Sequence, residues 1–148
     1  MTRQTTLDAL QASLAAEHLA VYGYGIIGAR LHVAAQRGGA ASWVAHRTRR
    51  DQLIGFIAAL GAQPVAAQAA YRLPVEVTST ATAAQLAAVL EDAAFAPYAA
   101  LAGADDPKLR QFAAAAMQQT MTWRVTWTGA TPAGAFPGLP QSALIPKP

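Results

Sequence analysis

The chain has 148 residues, a length that fits one domain with a single core. It contains no cysteine, which excludes disulfides, thiolate metal sites and cysteine nucleophiles and fits a reducing compartment. Its formal charge of +3 is scattered along the chain, so we expect no nucleic-acid binding, which requires a basic stripe.

Hydrophobic residues make up 53% of the chain and charged residues only 13%. We therefore expect a partner to cover part of the apolar surface, most simply a second copy in a homodimer. The N-terminus shows no signal-peptide pattern. The uncharged stretch 53–71 is interrupted by Gly61 and Pro64, which argues against a membrane span. These features predict a cytoplasmic protein.

The first half of the chain predicts two helices. One helical face carries Leu10, Leu14, Glu17, Val21, Tyr24, Gly28 and Leu31, spaced four and three residues apart. Thr5 or Thr6 is expected to cap this helix. A second face carries Trp43, His46, Arg50, Leu53, Ile57 and Leu60, and Gly61 is placed to end that helix.

The turn between these helices lies either at Gly38-Gly39 or near His32. The first choice sets Glu17 level with about Leu60, whereas the second sets it level with Arg49 and Arg50. We favour the turn near His32, because the second half of the chain turns at a similar distance after Glu91. The two glycines then belong to the first turns of the second helix.

The second half of the chain predicts two more helices. One spans about 82–102 and contains Pro97, which should kink or restart it. The other begins with Asp106-Pro107, an N-cap followed by proline at the first helical position, and runs to about Gly129. The stretch 62–80 has no helical period, and at ~3.3 Å per residue it can travel the length of a bundle. The pattern predicts an all-α, ferritin-like four-helix bundle with one long crossover between helices 2 and 3.

We assign residues 1–130 to this bundle and residues 131–148 to a proline-rich tail. The tail cannot be helical, and its apolar residues allow either a strap across the bundle or a neighbouring subunit, or disorder.

The glycines of YGYGIIGA match G-x-G-x-x-G, the spacing of a dinucleotide-binding loop. Such a loop must follow a strand, but helical periodicity precedes Gly23 from Leu7 onward. The following SWVAHRTRRD is too polar for a buried strand. We therefore interpret these glycines as positions where a neighbouring helix or subunit approaches closely.

The chain is weakly duplicated at a separation of 74 residues. This shift takes Gln11, Glu17, Tyr24 and Arg50 onto Gln85, Glu91, Tyr98 and Arg124. The two halves are therefore expected to be similar helical hairpins, each with a glutamate at mid-helix and a tyrosine two turns later.

Four segments, LQASLAAEHLAVYGYGIIGARL, AHRTRRDQL, DDPKLR and AFPGLP, resemble the alanine-rich, ferritin-like domain family of unknown function found in actinobacteria. The similarity runs from about Leu7 to Pro140 and is most specific in AAEH-x-x-VYGYG and AHR-x-RRD. It implies a ferritin-like four-helix fold, but the family brings no activity that can be carried over.

Ferritin-like proteins bind two metal ions with single glutamates from two helices and Glu-x-x-His from the other two. Glu17 and Glu91 match the single glutamates, but no Glu-x-x-His occurs in the chain. We therefore expect no cofactor, and Glu17, His46 and Glu91 remain candidates for a reduced iron or manganese site.

Buried carboxylates must be matched by donors or cations. We predict that guanidinium groups fill the space that metal fills in active relatives, with Glu17 paired to Arg50 or Arg49. The predicted buried polar cluster comprises Glu17, Tyr24, His46, Arg49, Arg50, Glu91, Tyr98 and Arg124.

No catalytic set emerges from the residues. The first hypothesis is a non-catalytic structural or interaction module. The second is a metal-dependent oxidoreductase or iron-handling protein with a reduced ligand set. The third is a carrier of a small apolar ligand between the alanine- and glycine-rich helices.

Overall fold

A computed structural model describes residues 1–31 and 33–134, without the side chains of residues 33–37. Four helices make up these ranges: α1 (Arg3–Arg30), α2 (Val33–Ala59), α3 (Thr80–Leu101) and α4 (Pro107–Thr128). No strand occurs in the described ranges, so the prediction of an all-α four-helix fold is confirmed. The predicted tail beyond residue 134 lies outside the described residues.

The helix ends follow local side-chain chemistry. Thr2 caps α1 by accepting a hydrogen bond from the Thr5 amide, so the predicted cap at Thr5 or Thr6 was wrong by one turn. Ser79 opens α3 with a capping box. Asp106 caps α4, and Gly129 closes it in the left-handed region at φ 66°, which glycine tolerates without strain.

α1 ends at Arg30 and α2 begins at Val33, so the favoured alternative for the turn is confirmed. Gly38 and Gly39 therefore lie in the first turns of α2. A Cβ on Gly39 would meet Ile27 and Trp127 at ordinary contact distance, so these turns pack against α1 and α4.

The crossover between α2 and α3 is long because those two helices run in the same direction. The start of α1 lies beside the ends of both: Arg3 donates to the Leu60 carbonyl, and the Met1 amino group pairs with Asp105. The chain must therefore return the length of the bundle, and it does so along α1. His18 donates to the Val65 carbonyl on this path.

The core consists of two apolar clusters separated by a polar layer at mid-helix. One cluster surrounds Leu10, Leu14 and Tyr98, and the other surrounds Ile27 and Leu90. A Cβ on Gly23 would lie 2.6 Å from Leu90 Cδ1, so this glycine allows the close approach of α3 to α1 that its motif predicted. Pro97 lies within a continuous α3.

None of the helices in the described ranges combines the length and apolar character needed to cross a membrane.

Candidate functional site

The polar layer is a buried network at the centre of the bundle. We call it the core network; its members are Glu17, Tyr24, His46, Arg49, Glu91 and Tyr98. All are fully buried or nearly so, with Arg49 the most accessible at 5%. Glu17, His46 and Glu91 sit on inward faces near the middle of their helices. The two tyrosines reach the same layer from about two turns farther along α1 and α3.

Both carboxylate oxygens of Glu17 accept hydrogen bonds from buried side chains. Its Oε1 accepts hydrogen bonds from Arg49 Nε at 2.8 Å and from the Tyr98 hydroxyl at 2.6 Å. Its Oε2 accepts from His46 Nδ1 at 2.7 Å. Burial alone would raise the pKa of Glu17, but His46 and Arg49 hold it below its usual range. Glu17 is therefore kept as a carboxylate inside the protein.

Among the described residues, Glu91 is hydrogen-bonded through one of its two oxygens. Its Oε1 accepts from the Tyr24 hydroxyl at 2.6 Å and from His46 Nε2 at 3.2 Å. Its Oε2 is buried and has no hydrogen-bond partner within the described part of the chain. The two glutamates thus lie at equivalent positions of the duplicated chain but differ in their hydrogen bonding.

His46 bridges the two glutamates through both ring nitrogens. Burial would lower its pKa, but the hydrogen bonds to Glu17 and Glu91 reverse this and raise the pKa above its usual value. The Oε2 of the Glu17 carboxylate, 2.7 Å from Nδ1, can only accept, so Nδ1 carries the proton of this hydrogen bond. Arg49 Nη2, 2.7 Å from the same Nδ1, is a second donor beside it and not its hydrogen-bond partner.

The tyrosines cross between the two halves of the molecule. Tyr24 donates to Glu91, and Tyr98 donates to Glu17, so the tyrosine of each hairpin binds the glutamate of the other. Burial, with the adjacent carboxylate, raises the pKa of both tyrosines well above the usual value. Both hydroxyls therefore stay protonated and act as fixed donors.

Two arginines of the predicted cluster lie outside the core network. Arg50 is half-buried and pairs with its neighbour Asp51, so its assignment to the inward face of α2 was wrong. Arg49 takes that place, because α2 turns His46 and position 49, not position 50, toward α1. Arg124 pairs with Asp92 at 2.7 Å on the half-buried edge between α3 and α4.

One partner of the network lacked any sequence signal. Arg49 Nη1 donates to the side-chain oxygen of Gln119 on α4, which gives the guanidinium a second acceptor beside Glu17. A glutamine among the polar residues of an amphipathic helix carries no pattern that would single it out. Only the packing of α2 against α4 identifies it.

The core network does not fit the two-metal site of active ferritin-like proteins. Such a site needs Glu-x-x-His on two helices, and the positions nearest Glu17 and Glu91 are held by the His46 ring and the Arg49 guanidinium. Across residues 1–31 and 33–134, no group of three or more His, Asp or Glu side chains has a geometry that could hold a metal ion.

An apolar cleft opens beside the network between α1 and α2. It has a volume of about 410 Å³ and is lined by Tyr24, Gly25, Gly28, Gly39, Ala40 and Trp43. Arg47 lies over the Trp43 ring, 4.4 Å from its centroid, in a cation–π contact. Gly25 and Gly28 thus line a cleft, while Gly23 alone of the motif makes the close contact with α3.

Comparison with known proteins gives a family but no activity. A crystal structure of a conserved hypothetical protein, rv2844, from Mycobacterium tuberculosis has a TM-score of 0.83 and 32% sequence identity to this chain. The match covers 87% of this chain and 98% of that one. No protein of curated function matches significantly. The model of the family described as "Domain of unknown function (DUF4439)" matches residues 9–141, and the chain belongs to this family.

Proposed function

We propose that this protein is a non-catalytic structural or interaction module of ferritin-like type, with basic side chains in place of metal in its interior. The observation that carries this proposal is the position of His46 and Arg49 among the two glutamates. Two acidic and two basic side chains meet there, so the charges of the core network can compensate one another without an ion.

The bonding of the network supports a structural role. Both oxygens of Glu17 are taken by donors, and its three partners come from α2 and α3. A metal ion could reach Glu17 only after Arg49 and His46 withdrew, which would leave both as unpaired buried groups. Leaving a charged side chain unpaired in the low-dielectric interior destabilises the fold by about 3–5 kcal/mol.

Metal titration tests the proposal. The protein is purified without chelator, its metal content is measured, and it is titrated anaerobically with Fe(II) and separately with Mn(II). We expect no stoichiometric binding. One or two ions per chain, lost in Glu17→Ala or Glu91→Ala but kept in the exposed-site control Glu76→Ala, would instead support the iron or manganese alternative.

We further propose that the module works in the cytoplasm as a homodimer, without nucleic-acid or membrane partners. The charged fraction of only 13% supports self-association, because it leaves little charged surface to keep copies of the chain apart. Light scattering during size-exclusion chromatography should give twice the chain mass. A monomer at all concentrations would remove this part of the proposal.

A second candidate function is a carrier of a small apolar ligand, favoured by the cleft between α1 and α2. Its volume of about 410 Å³ and its glycine- and tryptophan-lined walls suit an apolar molecule. Binding of anilinonaphthalene sulfonate should be lost in Gly28→Leu, which fills the cleft. It should persist in Gly55→Leu, which adds the same side chain at an exposed site of α2. Equal binding by both variants would contradict a carrier role.

A further inference from the structure

Two buried polar atoms in the second half of the molecule lack a hydrogen-bond partner among the described residues. They are Glu91 Oε2, an acceptor, and Trp123 Nε1, a donor. Burying either group without a partner costs roughly 1–3 kcal/mol, so unpaired buried groups are rare in native proteins. Because one of these atoms is a donor and the other an acceptor, and both lie in the same half of the core, one bound group could satisfy both.

The duplication of the chain relates these atoms to a bond seen in the first half. Adding 74 to Glu17 and Arg49 gives Glu91 and Trp123. In the first half, Arg49 Nε donates directly to Glu17. In the second half the same two positions hold an acceptor and a donor, but the direct bond is not made.

The packing of α3 against α4 places the two positions within one helical turn of each other along the bundle. Arg124 binds Asp92 at 2.7 Å. Because α3 and α4 run antiparallel, Trp123 and Glu91 lie one residue from this pair in opposite directions, which separates them by about 3 Å along the axis. Trp123 continues the inward face of α4 that carries buried Ala116 and Thr120. Glu91 therefore lies in the bundle interior, and the face of α4 that carries Trp123 borders this same interior.

We propose that Glu91 Oε2 and Trp123 Nε1 together bind one hydroxyl group, from a water molecule or a small alcohol. A hydroxyl oxygen accepts from the indole N–H, and its hydrogen is donated to the carboxylate oxygen. A metal cation or an ammonium ion cannot accept from the indole, and an anion would face Glu91. Only a group that both donates and accepts satisfies the pair.

A third residue supports the site. Thr120 is fully buried one turn before Trp123, and it is the counterpart of His46 under the same shift. Its hydroxyl donates to the Met117 carbonyl and keeps its acceptor capacity. In the first half, the His46 imidazole donates directly to Glu17. In the second half, the smaller Thr120 side chain occupies the equivalent position and offers a hydroxyl instead. The inference does not depend on whether the module is catalytic.

Nuclear magnetic resonance of the full chain with ¹⁵N-labelled tryptophan tests this site. The indole signals are assigned with Trp123→Phe and, as a matched control one turn along α4, Trp127→Phe. We expect a cross-relaxation peak between the Trp123 N–H and a hydroxyl-bearing molecule, slow solvent exchange of that N–H, and retention of both features in Trp127→Phe.

The source of the hydroxyl is read from the same sample. A native mass equal to the chain mass, with the peak at the water frequency, identifies water. Excess mass, with peaks to carbon-bound ligand protons, identifies an alcohol. Cross-peaks from the Trp123 N–H to protein protons only, or its rapid exchange with solvent, would overturn the proposal. These readouts come from the unaltered chain; if Trp123→Phe does not fold, Trp43→Phe and Trp127→Phe assign the Trp123 signal by elimination, since the chain has three tryptophans.

Discussion

Replacing Arg49 by methionine should be far more damaging than the same change at Arg50. Arg49 is 5% exposed, and its guanidinium donates to Glu17 and to Gln119. Methionine keeps much of the volume but leaves one basic side chain for two buried glutamates. Breaking a buried ion pair by removing one partner costs about 3–5 kcal/mol. That is a large part of the 5–15 kcal/mol that typically stabilises a domain.

Arg50→Met is the matched control. Arg50 pairs with its exposed neighbour Asp51, the one ion-pair partner it has among the described residues, and exposed pairs contribute about 0–1 kcal/mol. Urea unfolding followed by circular dichroism near neutral pH gives the free energy of unfolding of both variants. The expected difference between them is at least about 2 kcal/mol. Equal losses below about 1 kcal/mol would refute the assignment of Arg49, and not Arg50, as the buried partner of Glu17.

Two further predictions concern the same network. Because the pKa of His46 is raised, its contribution to stability is complete below the ordinary histidine value of about 6.5 and is lost as pH rises through the folded-state value. Because the pKa of Glu17 is lowered, its contribution is present above the ordinary glutamate value and is lost as pH falls through the folded-state value. Urea unfolding across pH should therefore show an alkaline decline that His46→Gln abolishes; an unchanged decline would contradict the pairing. Tyr24→Phe and Tyr98→Phe each remove a donor to a carboxylate, worth about 1.5–3 kcal/mol. Tyr24→Phe should cost more in unfolding free energy, since among the described residues Glu91 would keep His46 as its one protein donor while Glu17 keeps two, and the reverse order would contradict these assignments.

Periodicity in the sequence was sufficient to predict the helices and their order. Apolar spacing, the Asp106-Pro107 start and the long aperiodic stretch 62–80 correspond to real helix boundaries and a real crossover. These signals are local, because a helix buries one face and its ends need caps whatever it packs against. The cap of α1 was misplaced because Thr2, Thr5 and Thr6 can all accept an amide hydrogen bond.

The details of the interior depend on packing between helices and could not be read from the pattern. Positions 49 and 50 both lie within one turn of His46, and only the rotation of α2 against α1 decides which faces Glu17. The hydrogen bonds from Tyr24 to Glu91 and from Tyr98 to Glu17 likewise depend on the antiparallel packing of α1 against α3. Trp123 gave no sign of an unpaired N–H, since a tryptophan on an apolar face is ordinarily a core residue.

We infer that His46 is held as a protonated bridge between the two glutamates. Nuclear magnetic resonance of ¹⁵N-labelled histidine in the full chain reports the protonation of each ring nitrogen as pH is raised. We predict that both nitrogens of His46 stay protonated at pH values where a free histidine is already neutral, with Nδ1–H directed at Glu17. A His46 ring that loses its proton at the ordinary histidine pKa, or that carries no proton on Nδ1, would contradict the account.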